Sequence, residues 1–543
     1  MLLLEVKIIA TATEWFREKR SAKNILPTLF QCFYLLAMLF LVASTAFANN
    51  GYVTLYGAAA LGLFLFIGCF CKKMLDKMPS RQFFILLSIL LACFWGLNFF
   101  VANSIQYQLP PDTDIIYKSA ADLLDDGRLN NINNDLSFYY TEMTLYTNAD
   151  YFCMFPNNIA HLLTLCFVFL LGRPFGIQPL TPAGLTWAVF ISSLFIALCA
   201  LFVCLIVKRL FHSHSATLLA FLLCAVCPTF YYSVPNFYTD TYVLLPMLAA
   251  SYAFLVFIDK GLLRYAFAGT LLFTWASLVK ITAVIALLAV VLYYVFTPKK
   301  ASPFKKPLVI FGLAATLLLL RFLFSFWYIN SAMFDFSRAD ELTMPLSLWF
   351  CFGSSGLGTI NNPDRLYAIS ITDPGLRSRL LWERAFHNYR QYSVADLLTL
   401  WHRKLVWTWN DGLYEGGIYA QWPLHTNWST AITQPDSRAY FFVYWFSQGH
   451  MMMLYLASLL SGLVSFAKKK VDSSFFFHLC IFGIMLYLQI FETAPRRAIL
   501  ALPFLFFNLI YLHHSACSPS FVQRLRTGIA RFLPASQKKN ASQ

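Results

Sequence analysis

The chain has 543 residues, of which 59% are hydrophobic and only 12% carry a charge, with a formal net charge of +15. This composition excludes a soluble protein with a polar surface, in which about a quarter of the residues would be charged. It predicts an integral membrane protein, and the excess of Lys and Arg then reports orientation in the membrane and not a nucleic-acid partner.

Twelve apolar runs are long enough, at roughly 17 to 25 residues, to cross a membrane as helices. They lie at about 25–47, 52–71, 83–101, 183–207, 215–234, 241–258, 263–279, 281–297, 307–329, 440–465, 474–491 and 498–513. The first run follows a basic stretch and has no small-residue cleavage site after it, so we interpret it as a retained anchor and not a signal peptide. Residues 1–24 are predicted to form an interfacial amphipathic helix.

Basic clusters between the apolar runs predict the orientation of the chain. If each cluster marks the cytoplasmic side, the twelve spans alternate without exception and both termini are cytoplasmic. The apolar segment 159–172 has only fourteen residues, so we interpret it as a re-entrant or interfacial helix. The segments that then face outside are 102–182, 330–439 and the short turns at 235–240, 280 and 492–497.

The first outer segment opens with two acids, Asp112 and Asp114, directly after Pro110 and Pro111. The apolar spacing that follows predicts an interfacial helix closed by Gly127. Acids at the positive end of a helix stay ionised, and an ionised carboxylate could accept a proton from an acceptor hydroxyl. The alternative is a helix cap plus a solvated acid.

Later in the same segment, the stretch YFCMFPNNIAHLL (151–163) leads an aromatic pair and two amides into the short apolar helix. Tyr151 and Asn157 are candidates for framing a polyhydroxylated ligand. Alternatively, Asn157 caps the helix that follows.

Two charged residues stand at turns between spans. Asp240, in PNFYTDTYVLLP, lies where one outer turn enters the next span and is a candidate site residue or a helix cap. Lys280 separates two apolar runs, where a cation is costly unless it turns outward or is paired. Its position against the positive-inside trend makes it a candidate for binding an anionic phosphate.

The last outer turn, FETAPRRAILALP, brings together Glu492, Arg496 and Arg497. Arginine forms geometrically matched hydrogen bonds to phosphate oxygens. An ion pair between Glu492 and Arg496 that only shapes the turn is the alternative. In the second outer segment we predict helices around 376–390 and 395–407, and interpret 403–417 as shaping the loop at the membrane surface.

The thirteen cysteines lie mostly within apolar runs, and their spacing shows no disulfide framework and no zinc motif. We therefore expect them to serve packing.

These segments, in this order, resemble the GT-C superfamily of polytopic glycosyltransferases, in particular the bacterial protein O-mannosyltransferase and aminoarabinose-transferase group (glycosyltransferase family 39-like). The resemblance rests on the motifs DTDIIYKSAADLLDDG, YFCMFPNN, YTD, LVK and ETAPRRAILALP, which end or begin at the outer turns described above. It covers roughly 83–513. Many relatives have adjacent acids in the first outer loop, whereas here Thr113 separates Asp112 from Asp114, and many have another residue where Arg497 stands.

The resemblance implies an all-α bundle of about 12 transmembrane helices (range 11–13), with a re-entrant or interfacial helix and two large outer loops. The parts that it implies are an N-terminal segment with two additional spans (1–82), a catalytic membrane module (83–329) with the first outer loop (102–182), a second outer loop (330–439), and C-terminal helices with a basic cytoplasmic tail (440–543).

The activity that the resemblance implies is transfer of a sugar from a polyprenyl-phosphate donor to a glycan, lipid or protein acceptor. The reaction would take place on the outer face of the cytoplasmic membrane and invert the anomeric centre. Lys280, Arg496 and Arg497 would bind the donor phosphate. Asp112 or Asp114 would be the base, and helix register favours Asp112.

The remaining implied roles concern the acceptor and the substrate pocket. Asp240 would orient the acceptor or hold a divalent cation, for which Mg²⁺ or Mn²⁺ is the candidate. Tyr151, Asn157 and Glu492 would line the substrate pocket.

Two other classes of function compete with this one. A transporter or flippase of lipid-linked sugars also needs many spans and phosphate-binding cations, but transporters place such groups near mid-membrane within repeated halves. No internal repeat is visible in this chain. A scaffold subunit would account for the aromatic residues in the loops but not for acids and cations gathered on one side.

Overall fold

The computed structural model describes residues 22–49, 51–129, 147–297, 305–468 and 471–517. Every regular element within these ranges is a helix. The predicted interfacial helix at 1–24 lies outside the described residues, apart from its last three, which open the first helix.

The α-helices of the N-terminal half and the middle are α1 (Ala22–Ala48), α2 (Tyr52–Leu75), α3 (Ser80–Ile105), α4 (Pro111–Asp126), α5 (Asn148–Met154), α6 (Ile159–Gly172), α7 (Pro182–Phe211), α8 (His214–Ala225), α9 (Pro228–Tyr232), α10 (Thr239–Tyr242), α11 (Leu244–Lys260), α12 (Leu263–Val279), α13 (Val284–Phe296) and α14 (Lys305–Ile329). Those of the C-terminal part are α15 (Ala339–Leu342), α16 (Leu346–Gly353), α17 (Asn362–Ile369), α18 (Pro374–Gln391), α19 (Val394–Trp409), α20 (Gly416–Tyr419), α21 (Thr430–Thr433), α22 (Arg438–Lys468), α23 (Ser473–Ile490) and α24 (Leu502–Ala516). Short 3₁₀-helices occur at Pro156–Asn158, Arg173–Phe175, Val234–Asn236, Ile281–Ala283 and Pro495–Ala501.

Ten helical stretches in the described ranges are long and apolar enough to cross a membrane, or eleven if a bent pair counts as one span. The bent pair joins α8 to Pro228–Asn236 at an angle of 50°, next to Pro228, which cannot donate a backbone hydrogen bond. The two helices on either side of Lys280 are apolar but shorter. The predicted class, an all-α multi-pass membrane protein, is confirmed.

The segment 156–175 is among the ten by length and composition, although we predict that 159–172 does not cross. Helix α6 lies beside α4: the side chain of Arg173, just after α6, donates a hydrogen bond to the carbonyl of Leu124 near the end of α4 (2.7 Å). At its start, His161 packs against Tyr242 (5.1 Å between ring centroids). At its end, Gly172 is in contact with Trp187, in the second turn of α7. These contacts join both ends of α6 to neighbouring helices, and the interfacial or re-entrant position of 159–172 stays a prediction.

Helices α12 and α13 form a hairpin with Lys280 at its turn. Helix α14 packs against α12, and side chains of α14 reach both α12 and the end of α13. Arg321 on α14 donates to the carbonyl of Ser277 near the turn (2.9 Å), whereas Lys306 donates to the carbonyl of Thr297 at the far end of α13 (2.9 Å). On α11, a Cβ at Gly269 of α12 would lie 2.6 Å from Phe254, and the ring of Tyr294 of α13 lies 5.4 Å from that of Phe257. Phe254 and Phe257 are one helical turn apart, so the start of α12 and the end of α13 lie at the same level and the chain reverses at Lys280, as the sequence predicts.

The loop helices also agree with the predictions. Helix α4 ends at Gly127, whose φ of 69° is left-handed and suits a residue without Cβ. Helices α18 and α19 occupy the predicted stretches, and their first backbone amides are capped by the side chains of Asp373 and Ser393. The last helix, α24, is the centre of the bundle, because its span is 94% buried, whereas none of the span in α14 is buried.

Candidate active site

A cavity of about 340 Å³ lies between the first outer loop, the Lys280 hairpin, the second outer loop and the turn that precedes α24. Six of the nine predicted site residues line it: Asp112, Tyr151, Asn157, Lys280, Arg496 and Arg497. In the sequence, Asp112 and Arg497 are 385 residues apart. The fold therefore brings the predicted acid and the predicted cations into one pocket.

Asp112 lies in the first turn of α4 and not in an extended stretch before it. The hydroxyl of Tyr151 donates to Asp112 Oδ1 (3.0 Å), and Asn158 Nδ2 donates to the Tyr151 oxygen (2.7 Å). Asn157 Nδ2 in turn donates to Asn158 Oδ1 (3.2 Å), so Asn157 belongs to this chain of hydrogen bonds instead of capping α6. The chain holds one face of the carboxylate in a fixed orientation.

Asp114 does not line the cavity. Two residues along an α-helix turn by about 200°, so Asp112 and Asp114 point to opposite sides of α4. Asp114 instead forms an ion pair with Lys118 (2.6 Å). The geometry therefore favours Asp112 as the acid that meets a substrate, and the catalytic prediction for Asp114 is not supported by its position.

Asp240 lies behind the cavity wall and does not line it. Its carboxylate is 3% exposed and accepts a hydrogen bond from Lys280 Nζ through Oδ1, while Oδ2 is 3.7 Å from Arg496 Nε. Burial lowers the pKa of Lys280 to about 8, against the opposing effect of Asp240. Asp240 is thus placed as the counter-ion of the phosphate-binding candidates.

Arg496 is held by two residues of the second outer loop. Its Nη1 donates to the Tyr419 hydroxyl (2.9 Å), which donates to Glu415 Oε2 (2.8 Å). Glu415 has a φ of 66°, a strained value for a residue with a Cβ, and such strain is found where the surroundings impose it. Burial raises the pKa of Glu415, and Arg496 opposes that shift.

Arg497 pairs with Glu492, and this pair differs from the sequence expectation. Arg497 Nη2 donates to Glu492 Oε2 (2.6 Å), whereas the alternative interpretation of the sequence pairs Glu492 with Arg496. The carboxylate of Glu492 is 2% exposed and does not line the cavity. Its side chain is committed to Arg497, so its position does not support the predicted place in the substrate pocket.

The second outer loop supplies residues that the sequence reasoning missed. Lys404 is fully buried, and its Nζ donates to the carbonyls of Gly353 (2.9 Å), Gln489 (2.7 Å) and Phe491 (2.9 Å). These bonds fix the backbone directly before Glu492. Burial lowers the pKa of Lys404 to about 7, and Glu492 opposes that shift.

Arg365, in α17, is a further cation on the cavity lining. The lining thus carries four cationic side chains and one carboxylate, Asp112, while three buried acids stand behind the cations. The rest of the lining combines polar side chains, such as those of Asn157, Asn158 and Thr239, with apolar and aromatic ones. Three of the apolar side chains are exposed: Ile281 (50% exposed), Leu346 (57%) and Ile360 (43%). The cavity can accept an anionic head with an apolar tail.

The lining offers few protein ligands for a divalent cation such as Mg²⁺ or Mn²⁺. Such ions take several oxygen ligands, but Asp112 is the single carboxylate on the lining, and Asp114 and Asp240 are bonded to lysines. Among the described residues, one group of three side chains is close enough to share a metal ion, and it contains none of these acids. No chemical step below uses a metal.

Comparisons with known proteins agree with the sequence resemblance. Residues 180–327, which include Asp240 and Lys280, match the family model described as dolichyl-phosphate-mannose-protein mannosyltransferase. No curated protein sequence matches the chain. Among solved structures, the chain is similar to the crystal structure of ArnT from Cupriavidus metallidurans bound to undecaprenyl phosphate, at 12% identity and a TM-score of 0.31, over 84% of this chain and 82% of that one. The family match covers about a quarter of the chain and agrees with the resemblance to the GT-C superfamily of membrane glycosyltransferases.

Proposed function

We propose that this chain is a glycosyltransferase that moves a sugar from a polyprenyl-phosphate donor to an acceptor at the outer face of the membrane. The observation that carries the proposal is the cavity whose lining holds Asp112 together with Lys280, Arg496 and Arg497. A base and an anion-binding cluster facing one space are what glycosyl transfer from a phosphate leaving group requires. The acceptor class, whether glycan, lipid or protein, stays open.

The cations would bind the donor phosphate and stabilise the charge that grows on it. As the bond between the anomeric carbon and the phosphate oxygen breaks, negative charge moves to the phosphate, and preorganised cations lower the energy of that state. Asp240 and Glu492 hold Lys280 and Arg497 at fixed positions. The cluster therefore needs little reorganisation when the donor arrives.

Asp112 would act as the general base. The acceptor hydroxyl attacks the anomeric carbon, its proton passes to Asp112, and the electron pair of the broken bond leaves with the lipid phosphate. Direct displacement of this kind inverts the anomeric centre. The hydrogen bond from Tyr151 leaves lone pairs of the Asp112 carboxylate available for that proton.

The partly exposed apolar side chains at Ile281, Leu346 and Ile360 would receive the polyprenyl chain. Nucleotide sugars are cytoplasmic, so a site on the outer face depends on a donor that the membrane delivers. The same apolar border suits a lipid whose phosphate lies at the level of the outer turns.

The test is a transfer assay with purified protein, a labelled polyprenyl-phosphate sugar and envelope extract as acceptor. Asp112→Asn is expected to abolish transfer while the protein stays folded, because the amide cannot accept the proton. Asp114→Asn is the matched control on the same helix turn and should retain most activity. Equal activity of the wild type and Asp112→Asn would refute the role of Asp112.

The same preparation separates the enzyme from a lipid-linked-sugar transporter. In liposomes, a transporter would move the labelled lipid across the bilayer and form no glycosidic bond. Movement without transfer in the wild-type protein, with every acceptor fraction supplied, would favour the transporter.

A further inference from the structure

Three side chains with metal-binding chemistry meet far from the cavity. Cys69 lies on α2, and His513 and Cys517 lie at the end of α24. The Cys517 sulfur is 2.7 Å from the Cys69 sulfur and 3.5 Å from His513 Nε2, and the three ligand atoms all lie within 4.8 Å of one another. His513 is sixteen residues beyond Arg497, or roughly 24 Å along a helix.

The local geometry of α24 and α2 brings these three side chains together. His513 and Cys517 are four residues apart, and the Cys517 amide donates to the His513 carbonyl (3.0 Å), so the helical turn places both side chains on one face. On the opposing helix, a Cβ at Gly68 would lie 2.6 Å from His513 Nε2. Glycine at that position lets the backbone of α2 approach the imidazole, which is 1% exposed.

The distances are close to those between ligands of one tetrahedral ion, with one adjustment. Zinc lies about 2.3 Å from a thiolate sulfur and about 2.0 Å from an imidazole nitrogen, which separates sulfur from nitrogen by roughly 3.6 Å and two sulfurs by roughly 3.8 Å. The observed distance of 3.5 Å between the Cys517 sulfur and His513 Nε2 already matches the first of these values. The two sulfurs must move apart by about 1 Å, and Cys69 can do so because it lies on the surface.

The chemistry of the set selects the class of metal. Two thiolates and an imidazole favour a thiophilic ion over Mg²⁺ or Ca²⁺. Two cysteines and one histidine, with a fourth position open to water, form a known zinc ligand set. These three side chains supply three of the four ligands of such a set.

The surroundings argue against a disulfide as the purpose of this pair. Lys72 Nζ donates to the Cys517 carbonyl (3.4 Å), and the basic cluster that includes Lys72 is predicted to be cytoplasmic. Disulfides are rare in that reducing compartment, where paired cysteines more often bind metal.

We propose that Cys69, His513 and Cys517 form a zinc site that ties α2, in the additional N-terminal part, to the last helix of the bundle. This inference does not depend on the proposed function. It also corrects the expectation that all cysteines serve packing, for Cys69 and Cys517.

The experiment measures zinc directly on the full-length chain. Protein purified under reducing conditions in detergent is stripped with a chelator, supplied with Zn²⁺, dialysed and analysed by elemental mass spectrometry. The wild type should retain about one Zn²⁺ per chain, and Cys69→Ser should weaken binding at least tenfold, since even second-shell partners contribute that much. Cys71→Ser is the matched control two residues along α2 and should bind as the wild type does.

Two further readouts identify the ligands and keep the result interpretable. Co²⁺ in place of Zn²⁺ should give a thiolate charge-transfer absorption in the wild type and in Cys71→Ser that is lost in Cys69→Ser. Cys69 is exposed, so its replacement by serine leaves the bundle intact, which size-exclusion chromatography checks. Equal zinc content in the wild type and Cys69→Ser, no zinc in the wild type, or a Cys69–Cys517 disulfide in the reduced preparation would each overturn the proposal.

Discussion

Raising the pH from 7 to 9 should weaken donor binding through Lys280. Burial lowers the pKa of this lysine to about 8, so its ammonium form predominates at pH 7 and its neutral amine at pH 9. If the phosphate binds the ammonium form, affinity is greatest below pH 8 and falls as the pH rises through that value. Arg496 and Arg497 keep their charge throughout this range.

The size of the effect follows from the protonated fraction. With a pKa of about 8, that fraction falls from about 0.9 at pH 7 to about 0.1 at pH 9. A hydrogen bond to a charged group contributes about 1.5 to 3 kcal/mol, so the neutral form binds roughly 13 to 160 times more weakly. Combining the fall in the protonated fraction with the weaker binding of the neutral form gives an increase in Kd of about six- to tenfold between pH 7 and pH 9.

The assay is equilibrium binding of a short-chain polyprenyl-phosphate sugar, whose phosphodiester charge does not change over this interval. Lys280→Arg is the control, because arginine does not lose its proton, and its Kd should stay constant from pH 7 to pH 9. Parallel pH profiles for the wild type and Lys280→Arg would refute the assignment of Lys280 to the phosphate.

Two further predictions concern the groups that hold the site in shape. Tyr151→Phe removes the hydrogen bond to Asp112 and should lower kcat by about tenfold with little change in Tm; an unchanged kcat would mean that Tyr151 does not orient the base. Glu492→Gln leaves the buried guanidinium of Arg497 without its counter-ion and should lower the free energy of unfolding by about 3 to 5 kcal/mol, measured as a reduced Tm in detergent. A Tm equal to that of the wild type would contradict the importance of this ion pair.

Much of the fold can be predicted from the sequence because crossing a membrane depends on local composition. Runs such as 183–207 are apolar over their whole length, and basic clusters mark their ends. The same locality explains why the sequence singles out Lys280 and Arg497, which both line the cavity: each is a cation in a turn predicted to face outside, where the positive-inside trend disfavours it. Helix periodicity favours Asp112 over Asp114, and of the two only Asp112 is on the cavity lining.

The parts that the sequence does not predict depend on contacts between distant segments. Tyr419 meets Arg496 across 77 residues of sequence, and Lys404 meets Phe491 across 87. Cys69 and Cys517 are 448 residues apart, so their spacing resembles no metal motif. Glu415 stands next to two glycines in a loop rich in aromatic residues. That pattern is typical of structural turns as well as of substrate-binding sites, so it does not single out Glu415.

The most direct test of the central claim is a cryo-EM structure of the full-length chain in a lipid nanodisc with a polyprenyl phosphate. The phosphate should lie in the cavity within about 3 Å of Lys280 and Arg496, with the lipid chain leaving past Ile281 and Leu346 and with Asp112 facing the same space. A phosphate bound on another face of the bundle, or a lipid chain that excludes the head group from this cavity, would contradict the account.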